Sequence, residues 1–185
     1  MKTRKEIITL CYAAVSVAMS FVLSFVEIPV GFQGGSINFV MIPLIVFAVY
    51  RGGLIWGLGA GAVFGTLKLL TGSSAVTWAS ILLDYTFAYA AVGLAGIFKG
   101  RKYGGILGAL TGCVARFAVH FISGITIYAI NAPSEVLGIT TSSVLLFSFL
   151  YNIAYMGPNT VAAVVLSPVL GVAVTGFGSS ARKTR

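Results

Sequence analysis

The feature that most restricts this chain is a succession of apolar runs from Ile7 to Phe177, parted only by short connections. A run near twenty residues long reads as a helix that crosses a bilayer. Six such spans can be drawn: Ile7 to Val30, Ile37 to Tyr50, Gly53 to Leu70, Val76 to Phe98, Tyr103 to Ile130 and Val144 to Phe177. With 58% hydrophobic and 9% charged residues, the composition belongs with integral membrane proteins. The expectation is an all-α integral membrane protein, a compact bundle of six transmembrane helices forming a single membrane domain over residues 1–185.

Two spans have irregular lengths. Ile37 to Tyr50 is short and contains Pro43, so it is tilted or inserted beside a loop packed into the protein. Val144 to Phe177 is longer than a bilayer needs, and Pro158 and Pro168 should kink or end parts of it. The start (Lys2, Arg4, Lys5) before an apolar run mimics a signal peptide, but the run exceeds the ~7–15 residues of a signal core and reads as a retained first helix.

The basic residues set the orientation. Six spans place Lys2, Arg4, Lys5, Arg51, the Lys99/Arg101/Lys102 loop and the Arg182/Lys183/Arg185 tail on one side. Both termini are therefore expected in the cytoplasm. The opposite connections, 29–36, 71–75 and 131–143, hold no Lys or Arg. The net charge of +8 is thus accounted for at the membrane surface, and no aromatic-basic stripe suggests nucleic acid. The lipid bilayer is the partner this composition implies.

Cys11 and Cys113 lie inside apolar runs without CxxC spacing, which reads as packing rather than metal or redox chemistry. Gly57, Gly59, Gly61 and Gly65 follow no strand, so they let a neighbouring helix come close rather than bind a dinucleotide. Ala14 and Ala18 are a small pair one turn apart, suited either to internal packing or to docking of a partner helix. Gln33-Gly34-Gly35-Ser36 forms the first outer loop, a lid or a plain connector.

Ionisable groups inside a span are costly and usually face a bundle interior or a wet cavity. Arg116 and His120, the sole histidine, are four residues apart and share a helix face. His120 lies 18 residues past Lys102, roughly 27 Å along a helix, and Asp84 lies 15 residues before Lys99, roughly 22 Å. Both fall in the outer half, together with Tyr151, Asn152 and Tyr155. Tyr85 adjoins Asp84, Tyr128 lies further out, Phe147 heads an aromatic stripe with Tyr151 and Tyr155, and Lys68 and Glu27 end their spans near the outer surface. Each residue alone suits packing or a structural ion pair. Together they suit a site for a small, flat, polar ligand: aromatics to stack on a cation, Asp84 as counter-charge, His120 and Asn152 for hydrogen bonds to a heteroaromatic ring. Arg116 fits a cationic ligand only if it pairs with Asp84 or points below the pocket.

The order of these pieces resembles the thiamine-specific substrate-binding (S) component of energy-coupling factor (ECF) transporters. The matching segments are Gln33-Gly34-Gly35-Ser36, Met41-Ile42-Pro43, Leu82-Leu83-Asp84-Tyr85, Arg116-Phe117 with His120-Phe121-Ile122-Ser123-Gly124, and Tyr151 to Pro158. The resemblance implies ligand contacts at Asp84, Tyr85, Arg116, His120, Tyr128, Tyr151 and Asn152. Several relatives have a ligand-contacting tyrosine where this chain has Phe147, removing one hydroxyl. It further implies docking through Ala14 and Ala18, a membrane coupling subunit, two cytoplasmic ATPases, and a toppling movement that releases vitamin inside. No cofactor or metal is expected, thiamine being the ligand. No GxxxxGK[ST] loop is present, so ATP hydrolysis is expected on the partners.

Three other readings stand beside this one. Another vitamin or a thiamine precursor would use the same fold. An intramembrane enzyme would use Asp84, His120 and Ser123. A self-contained carrier would show an inverted repeat, which is not evident.

Overall fold

The computed structural model describes residues 2–30, 35–71, 81–126 and 134–183. Among the described residues six helices run in chain order: α1 (Lys2–Leu23), α2 (Met41–Gly52), α3 (Leu54–Leu70), α4 (Leu82–Phe98), α5 (Gly104–Thr126) and α6 (Val144–Lys183). Between α1 and α2 lies an antiparallel hairpin, β1 (Ile28–Val30) with β2 (Gly35–Ile37). A second, β3 (Ser134–Val136) with β4 (Ile139–Thr141), precedes α6.

The hairpins correct two span boundaries. The first helix stops at Leu23 rather than continuing to Val30. The Ser24 hydroxyl bonds back to the Phe21 carbonyl at 2.7 Å, and Phe25 and Val26 close tighter turns onto Val22 and Leu23. The second helix starts at Met41, because 35–37 are strand. Pro43 sits in its first turn, where a missing N–H leaves no bond unmade. Met41 through Val49 are all buried, and the bundle is built around them. Its last turn, Ala48–Gly52, is π-helical and ends at Gly53, whose φ of +83° favours glycine.

Of the four α3 glycines, Gly57, Gly61 and Gly65 pack as expected, backbone against backbone. A Cβ at Gly61 or Gly65 would run into the carbonyls of Tyr89 or Tyr85 on α4, and Gly57 meets Gly93. Gly59 faces open space. That close crossing holds α4 at a fixed depth. Its outer turn, Leu82–Phe87, is π-helical, a form that recurs at functional sites.

On α5, Gly104, Gly108 and Gly112 make one buried row at four-residue spacing, and Arg116 extends it. The row's small residues seat the inner half of α5 and turn its polar continuation into the bundle. α6 runs unbroken through Pro158 and Pro168, so neither proline ends it. Its buried face carries Phe147, Ser148, Asn152, Tyr155, Met156, Asn159, Ala163 and Ser167.

The two ends of the bundle differ as the charge pattern requires. At one end Lys99 donates to the Arg51 carbonyl (2.6 Å), and Arg51 donates to Val174 on α6 (3.0 Å) while lying over the Tyr12 ring. At the other, Lys68 pairs with Glu27 at 3.7 Å. Cys113 is buried, whereas Cys11 is exposed on the outer face of α1 and is not a core residue.

Candidate functional site

Asp84, His120 and Arg116 come together from α4 and α5. Asp84 Oδ1 lies 3.1 Å from His120 Nδ1, and Arg116 Nε donates to His120 Nε2 at 3.3 Å. The Asp84 and His120 side chains keep 14% and 12% of their exposure, so the pair is reachable but largely dry. Arg116 is buried. Its Nη2 donates to the Tyr89 hydroxyl at 3.1 Å, and its guanidinium lies 4.3 Å from the Tyr89 ring centre. Of the two arrangements that would admit a cationic ligand, the geometry shows the second: Arg116 turns beneath the carboxylate, with the imidazole between them.

The helix α6 closes the other side. The Tyr155 ring stands edge-on to His120 with centres 6.3 Å apart, and its hydroxyl donates to Asn152 Oδ1 at 2.7 Å. Asn152 Nδ2 in turn bonds the Ser148 carbonyl at 2.8 Å. Tyr151 packs against Tyr155 at 5.5 Å and stacks on Phe147 at 6.1 Å. Phe147 is buried and backs the Tyr151 ring, which needs no hydroxyl. Tyr85 is half-buried on the Asp84 turn, with its carbonyl packed on Gly65.

Tyr151 also reaches the first hairpin. The Gly35 N–H donates to its hydroxyl at 2.7 Å, and that hydroxyl donates to the Val30 carbonyl at 3.3 Å. About two turns further along α6, Asn159 accepts from the Asn38 N–H at 2.9 Å and donates to the Ser36 carbonyl at 3.0 Å. The hairpin is thereby pinned over the α6 side of the cluster. Lys68 and Glu27 brace it from outside: Lys68 bonds the Ser24 carbonyl at 3.2 Å, and Ser36 donates to Glu27 at 2.9 Å. Tyr128, Gln33 and Gly34 lie outside the described residues.

Sequence reasoning missed Tyr89 and Asn159. Tyr89 had only its position one turn past Tyr85 to mark it. Asn159 had a stronger signal, an amide inside an apolar span, where an unpaired polar group is expensive.

A family model described as thiamine transporter protein (Thia_YuaJ) matches residues 10–177. The chain belongs to this family. It is 30% identical to the thiamine transporter ThiT of Bacillus subtilis, covering 90% of this chain and 92% of that one. ThiT of Lacticaseibacillus paracasei is 26% identical, covering 92% and 90%. A solved structure of ThiT from Listeria monocytogenes matches with a TM-score of 0.66 over 97% of both chains, at 23% identity, so the two share a fold. This member of the thiamine transporter protein family is accordingly a multi-pass membrane protein with a binding and transport role. Among the described residues Ser123 is buried with no hydrogen-bond partner for its hydroxyl, and His120 Nε2 accepts from Arg116.

Proposed function

We propose that this chain captures thiamine from the outer side of the membrane and serves as the substrate-binding subunit of an ATP-driven ECF transporter. The observation that carries the reading is the Asp84–His120 pair, walled by Tyr155, Tyr151 and Asn152, with the buried Arg116 guanidinium held on the far ring nitrogen of His120 and away from the carboxylate. A carboxylate with aromatic neighbours suits a flat monocation such as thiamine, through counter-charge and cation–π attraction. The proposed ligand contacts are Asp84, Tyr85, His120, Tyr128, Tyr151 and Asn152, with Arg116 and Phe147 supporting them from behind. The first hairpin, held by Tyr151 and Asn159, is the proposed cover.

The family likeness supports coupling to a membrane subunit and two cytoplasmic ATPases. A groove of about 710 Å³ between α1 and α3 supports it. Ala14 and Ala18 are exposed along that groove, with Gly59 and Ala60 opposite. A partner helix laid there would meet small residues on both walls.

Titration of the purified protein with thiamine, followed by heat or tryptophan fluorescence, tests the ligand. Riboflavin, biotin and the isolated aminopyrimidine serve as controls. Saturable thiamine binding, lost in Asp84→Ala, is expected; a folded protein that takes another vitamin instead would sink the assignment. Uptake in cells with and without co-expressed coupling and ATPase subunits tests the second half.

A further inference from the structure

We infer that Arg116 is a positioning residue that holds His120 as the neutral tautomer protonated on Nδ1, and through that ring aims the Asp84 carboxylate. A guanidinium in a protein keeps all its protons, so Arg116 Nε is always a donor. It points at His120 Nε2 from 3.3 Å, and Nε2 must therefore present its lone pair. The single ring proton is then on Nδ1, which donates across 3.1 Å to Asp84 Oδ1. The other tautomer would set two N–H groups head to head and turn a lone pair toward the carboxylate. A doubly protonated ring would meet both a donor and a like charge at Arg116.

Arg116 is itself fixed from behind by the Tyr89 hydroxyl and ring, and Tyr89 is wedged edge-on against Phe64 with ring centres 4.6 Å apart. Its Nη1 is buried without a hydrogen-bond partner among the described residues. A cation kept in such a place costs stability that an apolar residue would not. Ordering the His120–Asp84 pair explains its retention, and the imidazole keeps the guanidinium from direct contact with whatever docks on Asp84. The tautomer assignment is independent of the thiamine proposal; only this last consequence rests on it.

The chain has one histidine, so nitrogen-15 histidine labelling in lipid bilayers gives a single ring to read. The protonated and bare nitrogens differ widely in shift, and their couplings to the ring C–H protons identify each. A bare Nε2 and a protonated Nδ1 at neutral pH are expected in the wild-type protein. A proton on Nε2, or on both nitrogens, would overturn the inference, and this reading needs no variant to fold. In Arg116→Met the Nε2-protonated form should appear and thiamine binding should weaken by at least about tenfold. Arg116→Lys, which keeps a donor, should recover part of both. A folded Arg116→Met with an unchanged ring signature would remove Arg116 from the role. A wild-type protein with the expected ring that ignores thiamine would support this inference and overturn the function proposed above.

Discussion

Asn159 offers the sharpest test of how the outer face works. It is 1% exposed and makes two bonds to the chain leaving the first hairpin, accepting from Asn38 N–H and donating to Ser36 C=O. Asn159→Ala removes both while leaving a good helix former in α6. Asn38 is 5% exposed, so water cannot replace its lost partner, and an orphaned buried donor costs about 1–3 kcal/mol. Ser36 is half-buried and its carbonyl can be rehydrated, adding little. The sum is about 2 kcal/mol charged to the state in which the hairpin is seated on α6. If seating accompanies ligand capture, affinity falls roughly 30-fold, mostly through faster dissociation. Stopped-flow fluorescence gives the off-rate, calorimetry the affinity, and thermal melting of the ligand-free protein the baseline. Unchanged affinity and off-rate, with a lowered melting temperature, would mean that the hairpin is seated with or without ligand, and the covering role would be refuted.

Asp84→Asn keeps the shape and removes the charge. A hydrogen bond to a charged group contributes about 1.5–3 kcal/mol, so thiamine affinity should drop roughly 10- to 100-fold by calorimetry. Gly61→Ala forces a methyl into the Tyr89 carbonyl and should lower stability by about 1–3 kcal/mol, whereas Gly59→Ala meets open space and should gain up to ~1 kcal/mol; melting temperatures in detergent separate them. Ala14→Leu fills the α1–α3 groove, so cellular uptake should collapse while thiamine binding by the purified chain is retained. Loss of binding in that variant would place the groove in the ligand site instead.

Much of the fold was readable because membrane insertion is local physics. Any long apolar run satisfies its own backbone as a helix, and Lys and Arg mark the cytoplasmic connections one by one. The four-residue row through Gly104, Gly108, Gly112 and Arg116 likewise lies in one segment, so the inward direction of Arg116 and His120 followed from spacing. The hairpins were not readable. Ile28-Pro29-Val30 is as apolar as the helix before it, and hydropathy cannot tell a strand seated on protein from a further helical turn. The π-turn that carries Asp84 has no residue signature of its own either.

By itself, then, the amino-acid order determined the helical membrane fold and the shared helix face of Arg116 and His120. Tertiary structure alone decided which of these groups touch. Asn38 and Asn159 bond across 121 positions and Arg116 reaches Tyr89 across 27, pairings that depend on helix crossings rather than on any local period. It also decided the direction of Arg116. A guanidinium beside a carboxylate reads from sequence as a salt bridge. In the bundle the imidazole of His120 stands between them, because the close α3–α4 crossing fixes Asp84 and the glycine row of α5 fixes its partners.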